Sequence, residues 1–174
     1  MVLDVVISRQ RRYQSRVLAL VARWESDNDE HSLLWLSAHE PAPERYGLRP
    51  GEPKTIVTVA RNMVDLADDL GVNENQACRQ WADDVVSLEH APRLDPVVGA
   101  VPGIGPALFA YLRMRSGSDA LKPDLRVAKG LGHLGFPKAS GEHAILVLAQ
   151  AAAAEAAIDL LVLDQLLWWL DRTE

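Results

Sequence analysis

The chain has 174 residues, of which 48% are hydrophobic and 24% are charged, and its formal net charge is −6. This composition is that of an ordinary globular domain, and the negative charge argues against avid, non-specific binding to nucleic acid, which needs a basic surface. The single cysteine, Cys78, excludes an internal disulfide, an iron–sulfur cluster and a thiolate zinc site, because each of these needs more than one cysteine.

Neither of the two main apolar stretches is typical of a membrane or secretory segment. The run from Met1 to Ile7 is short, and its arginines follow it, whereas those of a signal peptide precede the apolar run. The run from Ala144 to Leu170 is interrupted by Glu155, Asp159 and Asp164, so it does not predict a membrane span. We therefore expect a cytoplasmic protein without a membrane partner, since a lone cysteine also fits a reducing compartment.

Apolar residues recur with helical spacing through the first half of the chain. Gly71 and Asn73 mark the end of one helix and the start of the next, because glycine favours the C-terminal cap and asparagine the N-terminal cap. The predicted elements are a helix from about Ser8 to Glu25, a short helix capped by Asp29 through Leu33, Leu34 and Leu36, a loop from Pro41 to Pro53, a helix from about Lys54 to Leu70, and a helix begun by Asn73 that carries Ala77, Trp81, Val85 and Leu88 on its apolar side.

Proline, glycine and cap residues divide the second half into short helices. Asp95-Pro96 is typical of a cap followed by a first-turn proline, and no stretch of the chain shows sustained strand alternation. We therefore predict an all-α fold, a single compact helical domain over 1–174. The predicted elements are a short helix from Val97 to Val101 that ends at Pro102-Gly103, helices from Pro106 to Arg115 and from Asp124 to Gly135, an alanine-rich helix capped by Ser140, and a final helix from about Ala157 to Arg172.

The sharpest local motif is Val101-Pro102-Gly103-Ile104-Gly105-Pro106, between two predicted helices. Its glycines let the backbone turn sharply and approach a ligand closely. The following helix can present its free N-terminal amides to a phosphate, and the helix dipole favours an anion there. Residues 96–115 therefore predict a helix-hairpin-helix that binds a phosphate backbone, with a packed turn that contacts no ligand as the alternative.

Nineteen positions after Gly105, Asp124 opens a second motif that ends at Leu134-Gly135. A hairpin followed by such an aspartate resembles the helix-hairpin-helix (HhH-GPD) superfamily of DNA glycosylases, in which the aspartate begins a helix of the form Asp-x-x-Val-x-Arg-x-x-x-Arg-Leu-Gly. The match covers about residues 96–135, less than a quarter of the chain. Val127 matches the valine, whereas Lys129 and His133 stand where the superfamily has arginines.

The resemblance implies a short superfamily member with two helical lobes, a cleft between them and the hairpin at its mouth. It implies that Asp124 stabilises the sugar cation formed as a flipped, damaged base leaves, or activates the attacking water. Bifunctional members have a lysine where this chain has Ala107, so the implied enzyme is a monofunctional N-glycosylase for DNA base-excision repair, with no cofactor and no metal. The implied contacts to DNA, weak and through the phosphate backbone, are at Gly103, Ile104, Gly105, Ala107 and Lys129.

Other interpretations of these residues stay open. Asp124 is also explained as only the N-cap of its helix, and the capping and catalytic roles are compatible with each other. The negative net charge, Ala107 and the bulky Phe109 favour a non-catalytic helix-hairpin-helix module for nucleic acid or a protein partner, and a degenerate superfamily member is a third possibility. Residues 101–140, however, carry six basic and two acidic side chains, so this segment is a basic island in an acidic protein. Most tryptophans are expected in the core; if one lines a pocket, we expect Trp168 or Trp169.

Overall fold

The computed structural model describes residues 1–170, and within that range it is all-α, with ten α-helices and no strand. The prediction of an all-α fold is therefore confirmed. A π-helical turn spans Tyr13–Val17, and two 3₁₀ turns span Val86–Leu88 and Pro92–Leu94. The helices are α1 Val2–Ile7, α2 Leu18–Asp27, α3 Leu33–Ala38, α4 Pro43–Tyr46, α5 Glu52–Leu70, α6 Glu74–Asp84, α7 Pro106–Arg115, α8 Leu125–His133, α9 Glu142–Ala156 and α10 Leu160–Leu170.

The helices pack around two separate hydrophobic cores. The larger core contains 24 buried residues between Val2 and Leu112, and the smaller one contains nine between Leu121 and Leu167. We call the parts around them the N-lobe (residues 1–115, α1 to α7) and the C-lobe (residues 120–170, α8 to α10). The chain passes from one lobe to the other once, so the two-lobed arrangement that we expected is present.

Several helix ends follow the predicted local signals. Gly71 ends α5 in the left-handed conformation, with φ of +66°. The Asn73 side chain accepts the backbone N–H of Gln76, whose side chain in turn accepts that of Asn73, which completes a capping box at α6. The Asp124 side chain caps α8 by accepting the backbone N–H groups of Arg126 and Val127.

The N-terminal predictions were partly wrong. Met1 to Ile7 is not simply an apolar run before the first helix, because Val2–Ile7 forms α1 and every residue of it is buried. Ser8, the predicted start of the first helix, instead ends α1, and Gln10 turns the chain with φ of +53°. Helical structure resumes only at Tyr13, because the chain must turn after α1, which packs against α5 and α7.

Two further local predictions were wrong in detail. Ser32, not Asp29, caps α3, because its hydroxyl lies three residues before the Trp35 amide and accepts it at 3.0 Å. The predicted loop from Pro41 to Pro53 contains α4, which uses Pro43 at its first position, where no amide partner is lost.

The first helix of the predicted hairpin is also absent, because Val97 to Val101 forms successive turns. The Asp95 carboxylate accepts hydrogen bonds from the backbone N–H groups of Val97, Val98 and Gly99 at 3.2, 2.9 and 2.8 Å. A Cβ on Gly99 would lie only 1.7 Å from the Pro92 carbonyl oxygen, so this turn is tightly packed. The segment 96–115 is therefore a capped turn followed by α7, rather than two helices joined by a hairpin.

At the C-terminal end, Gly141 rather than Ser140 precedes α9. Ala157 ends α9 in the left-handed conformation, with φ of +52°, so α10 begins at Leu160 and not at Ala157. The predicted end of this helix, Arg172, lies outside the described residues. No single helix within residues 1–170 is long and apolar enough to cross a membrane; α9 and α10 would be so only together, and they are bent by 102°.

Candidate active site

A cleft of about 920 Å³ lies between the two lobes. One wall consists of the segment after α1, the glycine turn and α7, and the other consists of the start of α8, the start of α9 and α10. Four of the six predicted site residues line it: Gly103, Gly105, Ala107 and Asp124.

The two remaining predicted residues lie elsewhere. Ile104 is 2% exposed in the N-lobe core, and its amide donates to the Val101 carbonyl at 3.0 Å, so neither its side chain nor its N–H faces a ligand. Lys129 is exposed on α8 outside the lining of the cleft.

The two glycines of the turn have different roles. Gly103 has φ of +96°, and a Cβ there would lie 2.6 Å from the Thr55 hydroxyl, which donates to the Pro102 carbonyl at 2.7 Å. Gly103 is therefore required by packing and backbone conformation. Gly105 has ordinary extended geometry, with φ of −106°, and a Cβ there would meet no atom within 4 Å. The space beside Gly105 is thus open at the point where α7 begins without a side-chain cap.

Asp124 combines a helix cap with a position in the cleft. Its Oδ1 accepts the backbone N–H groups of Arg126 and Val127 at 2.9 and 3.1 Å. Its Oδ2 lies 4.0 Å from the Lys122 Nζ, and the side chain is 37% exposed. One oxygen therefore holds the helix, while the carboxylate as a whole is accessible from the cleft.

Lys122 is a cleft residue that the sequence motifs did not indicate. Its Nζ lies 3.2 Å from the Ser8 Oγ across the cleft and 4.6 Å from the centroid of the Tyr111 ring. Burial lowers the pKa of this ammonium, and the carboxylate of Asp124 opposes that effect. The cleft thus contains a partly desolvated amine beside a carboxylate.

A second carboxyl group lies on α10. Asp164 lines the cleft and accepts the backbone N–H of Lys122 at 3.0 Å. Burial raises its pKa from 3.8 to about 6, although that hydrogen bond has the opposite effect. Asp164 is therefore a carboxyl group that can hold a proton closer to neutral pH than an ordinary aspartate, in the same cleft as Asp124.

The raised pKa predicts a pH-dependent effect of Asp164→Asn on stability. In the folded chain the carboxyl holds its proton to a higher pH than in the unfolded chain, so the wild type loses stability as pH rises from about 4 to above 6. The asparagine variant does not ionise, so its stability relative to wild type should increase by about 2–3 kcal/mol between about pH 4 and pH 7.5. Urea unfolding at both pH values measures this difference. Asp69→Asn, on an exposed position of α5, is the control, and an equal pH dependence in both variants would contradict the prediction.

A tyrosine and a buried carboxylate support the N-lobe wall. The Tyr13 hydroxyl donates to the Asp4 Oδ2 at 3.2 Å, and Arg115 reaches the same oxygen at 3.5 Å. Tyr13 and Arg115 both line the cleft, so the buried Asp4 carboxylate holds both side chains in place. Sequence reasoning missed this group, since α1 was not predicted and Arg115 lies more than 100 positions from Asp4 along the chain.

One of the two tryptophans near the C-terminus lines the cleft. Trp168 is part of the lining, with the guanidinium carbon of Arg126 5.4 Å from its ring centroid, whereas Trp169 is 58% exposed and is not part of the lining.

The charge of the cleft differs from that of the whole protein. Five basic and three acidic side chains line the cleft of a protein whose net charge is −6: Arg9, Arg11, Arg115, Lys122 and Arg126 against Asp124, Glu142 and Asp164.

Within residues 1–170, no three histidine, cysteine or acidic side chains are grouped so that they could hold a metal ion. No protein-family model, curated protein or solved structure matches this chain. The geometry of the cleft is therefore the basis for a functional assignment.

Proposed function

We propose that the protein is a DNA N-glycosylase-like enzyme that binds DNA weakly through the phosphate backbone and removes a damaged base. The observation that carries this proposal is that Asp124 lines the same cleft as the glycine turn and the uncapped start of α7. A reacting sugar held between them would have its phosphate near backbone amides and its anomeric carbon near a carboxylate.

The chemistry of Asp124 fits this reaction. Breaking an N-glycosidic bond develops positive charge on the sugar ring, as in glycoside hydrolysis, and a fixed carboxylate stabilises that charge. The Asp124 carboxylate is fixed through its Oδ1, which caps α8. Its partial exposure leaves it accessible to a bound nucleotide.

The size and lining of the cleft suit a flipped nucleotide. Its volume of about 920 Å³ lies near the upper end of ordinary ligand pockets, so it has room for a base and its sugar. Trp168 offers an aromatic face for stacking, and Asp164, with its raised pKa, can donate a proton to a leaving base near neutral pH.

Base release from duplexes with single alkylated, oxidised or deaminated bases tests the proposal directly. We expect the wild type to release a free base from at least one of these lesions, detected by chromatography. Binding to DNA without release from any lesion would favour the alternative, a non-catalytic nucleic-acid module, and no binding at all would contradict both.

The open space at Gly105 gives a separate prediction for binding. Valine fits the extended backbone of this residue without a clash inside the protein, but its side chain would occupy the space through which a phosphate reaches α7. Gly105→Val should therefore weaken duplex binding by at least about tenfold. The thermal midpoint should stay close to that of the wild type.

Fluorescence anisotropy with a labelled duplex, repeated over a salt series, measures this effect. The wild-type affinity should fall steeply with salt because phosphate contacts release counterions. Gly132→Ala, where an added Cβ also meets no atom within 4 Å, is the matched control on α8. Wild-type affinity in the Gly105 variant would rule out phosphate binding at this turn.

A further inference from the structure

Two histidines from different lobes face each other at the boundary between the lobes. His90 lies in the N-lobe after the 3₁₀ turn Val86–Leu88, and His143 lies in the first turn of α9 in the C-lobe. Their Nδ1 atoms are 3.0 Å apart, whereas the centroids of the two rings are 4.7 Å apart and the ring planes are inclined at 71°. The ring nitrogens, rather than the ring faces, are therefore the atoms that meet.

A second contact along the same face of α9 holds the two histidines in position. Gln150 follows His143 by seven residues, or about two helical turns, and its side chain donates to the Glu89 carboxylate, next to His90. Arg113 donates to the other oxygen of this carboxylate at 3.1 Å. Two successive residues of the N-lobe thus contact one face of α9, so the position of His90 relative to His143 does not depend on the exposed rings alone.

The separation of the two nitrogens matches that of two ligands on one transition-metal ion. Imidazole nitrogens lie about 2.0–2.1 Å from zinc, so two of them at an angle of about 90–109° are about 2.8–3.4 Å apart. Neutral imidazole is the commonest protein ligand of such ions. Both histidines are exposed to solvent, so water can occupy the other coordination positions.

We propose that His90 and His143 chelate a divalent transition-metal ion such as Zn²⁺, and that the bound ion ties the two lobes together. The alternative is a proton shared between the two nitrogens in a hydrogen bond. The Glu89 carboxylate favours a cation, because its Oε1 lies 4.0 Å from the His90 Nε2, too far for a hydrogen bond but close enough to add negative charge beside a ligand. Neither histidine lines the cleft, so the ion would act on it only through α9, whose first residue, Glu142, belongs to the lining.

Zinc titration of EDTA-treated, dialysed protein at pH 8 tests the proposal by calorimetry and thermal unfolding. We expect the wild type to bind one Zn²⁺ per chain, and its thermal midpoint should rise with zinc concentration, because an ion held only by the folded chain stabilises that chain. His90→Gln and His143→Gln should each weaken zinc binding by at least about tenfold, since each removes a ligand. Mg²⁺, which prefers oxygen ligands, should give no comparable rise.

The double variant and a distant histidine distinguish chelation from separate binding at each ring. If both rings hold one ion, the double variant should lose little more zinc affinity than either single variant, whereas two independent sites would give losses that add. His31→Gln, at an exposed position before α3, is the control and should bind zinc as the wild type does.

The wild type also gives an answer that does not depend on the folding of any variant. Zinc should shift the ring ¹⁵N resonances of two of the five histidines. The experiments contain no DNA, so their outcome is independent of the proposed function. No zinc-dependent rise in the midpoint of the wild type, or a rise that persists in both folded single variants, would overturn the inference and leave a hydrogen-bonded pair.

Discussion

Asp124→Asn should slow base release by at least about a hundredfold while leaving the fold intact. Asparagine caps a helix nearly as well as aspartate, so the hydrogen bonds to Arg126 and Val127 can be kept and stability should change by only a few tenths of a kcal/mol. The negative charge is lost, and with it the stabilisation of a cationic sugar. Removing one preorganised electrostatic group of this kind typically costs a factor of about 100 to 1,000 in rate.

Single-turnover base release on the best lesion substrate, together with thermal unfolding, measures both parts of this expectation. Glu142→Gln removes a different carboxylate from the lining of the same cleft and should change the rate by less than about threefold. Asp124→Ala, which also loses the cap, should cost about 1 kcal/mol of stability. An asparagine variant as active as the wild type would leave Asp124 as a helix cap alone.

Arg113→Ala should lower the free energy of unfolding by about 3–5 kcal/mol, the largest stability effect that we expect from a single charged residue. Arg113 is fully buried and donates to the Ala82 carbonyl at 3.0 Å, to Glu89 at 3.1 Å and to Ser118 at 3.2 Å. Glu89 also accepts from Gln150 on α9, so this network joins the two lobes. Alanine would leave both the Glu89 charge and a buried carbonyl without this partner.

Urea unfolding at neutral pH measures the loss. The exposed pair Arg79–Asp83 on α6 offers the control, because the side chain of Arg79 is 60% exposed and its ion pair is accessible to solvent. Arg79→Ala should therefore change stability by less than about 1 kcal/mol. A loss of similar size in Arg113→Ala would mean that the buried network contributes little.

The sequence predicted those helices whose ends depend on local chemistry. Gly71, Asn73 and Asp124 each satisfy the backbone groups of a helix end within three residues, so neighbouring sequence is sufficient to identify them. The sequence did not predict the conformation of segments that depend on contacts between residues far apart in the chain. Val2–Ile7 is helical because it is buried between α5 and α7. Val97 to Val101 begins with amides capped by Asp95 but does not continue as a helix, because the Ala100 amide bonds the Asp95 carbonyl five residues back and Gly99 packs tightly against the Pro92 carbonyl.

The candidate site was predictable only in part, for a related reason. Gly103, Gly105, Ala107 and Asp124 belong to one stretch of chain with a recognisable pattern, and they do meet in the cleft. The rest of the lining comes from separate parts of the chain, namely the segment after α1, the start of α9 and α10, and nothing in their spacing indicates that they face Asp124. Lys122 and Asp164 were missed because their importance depends on burial and on each other, which a pattern of residue types does not record.

From the unequal cores of the two lobes, we expect the two walls of the cleft to differ in stiffness. Local opening is easiest where few apolar residues are buried, and the C-lobe has nine core residues against 24 in the N-lobe. Asp124, Asp164 and Trp168 therefore stand on the more compliant wall, while the glycine turn is fixed in the rigid one. A nucleotide that bridges both walls must order the softer one, and the entropy lost in doing so reduces its affinity. Selectivity among lesions would then depend less on the overall affinity for DNA than on which base orders the C-lobe wall when it binds.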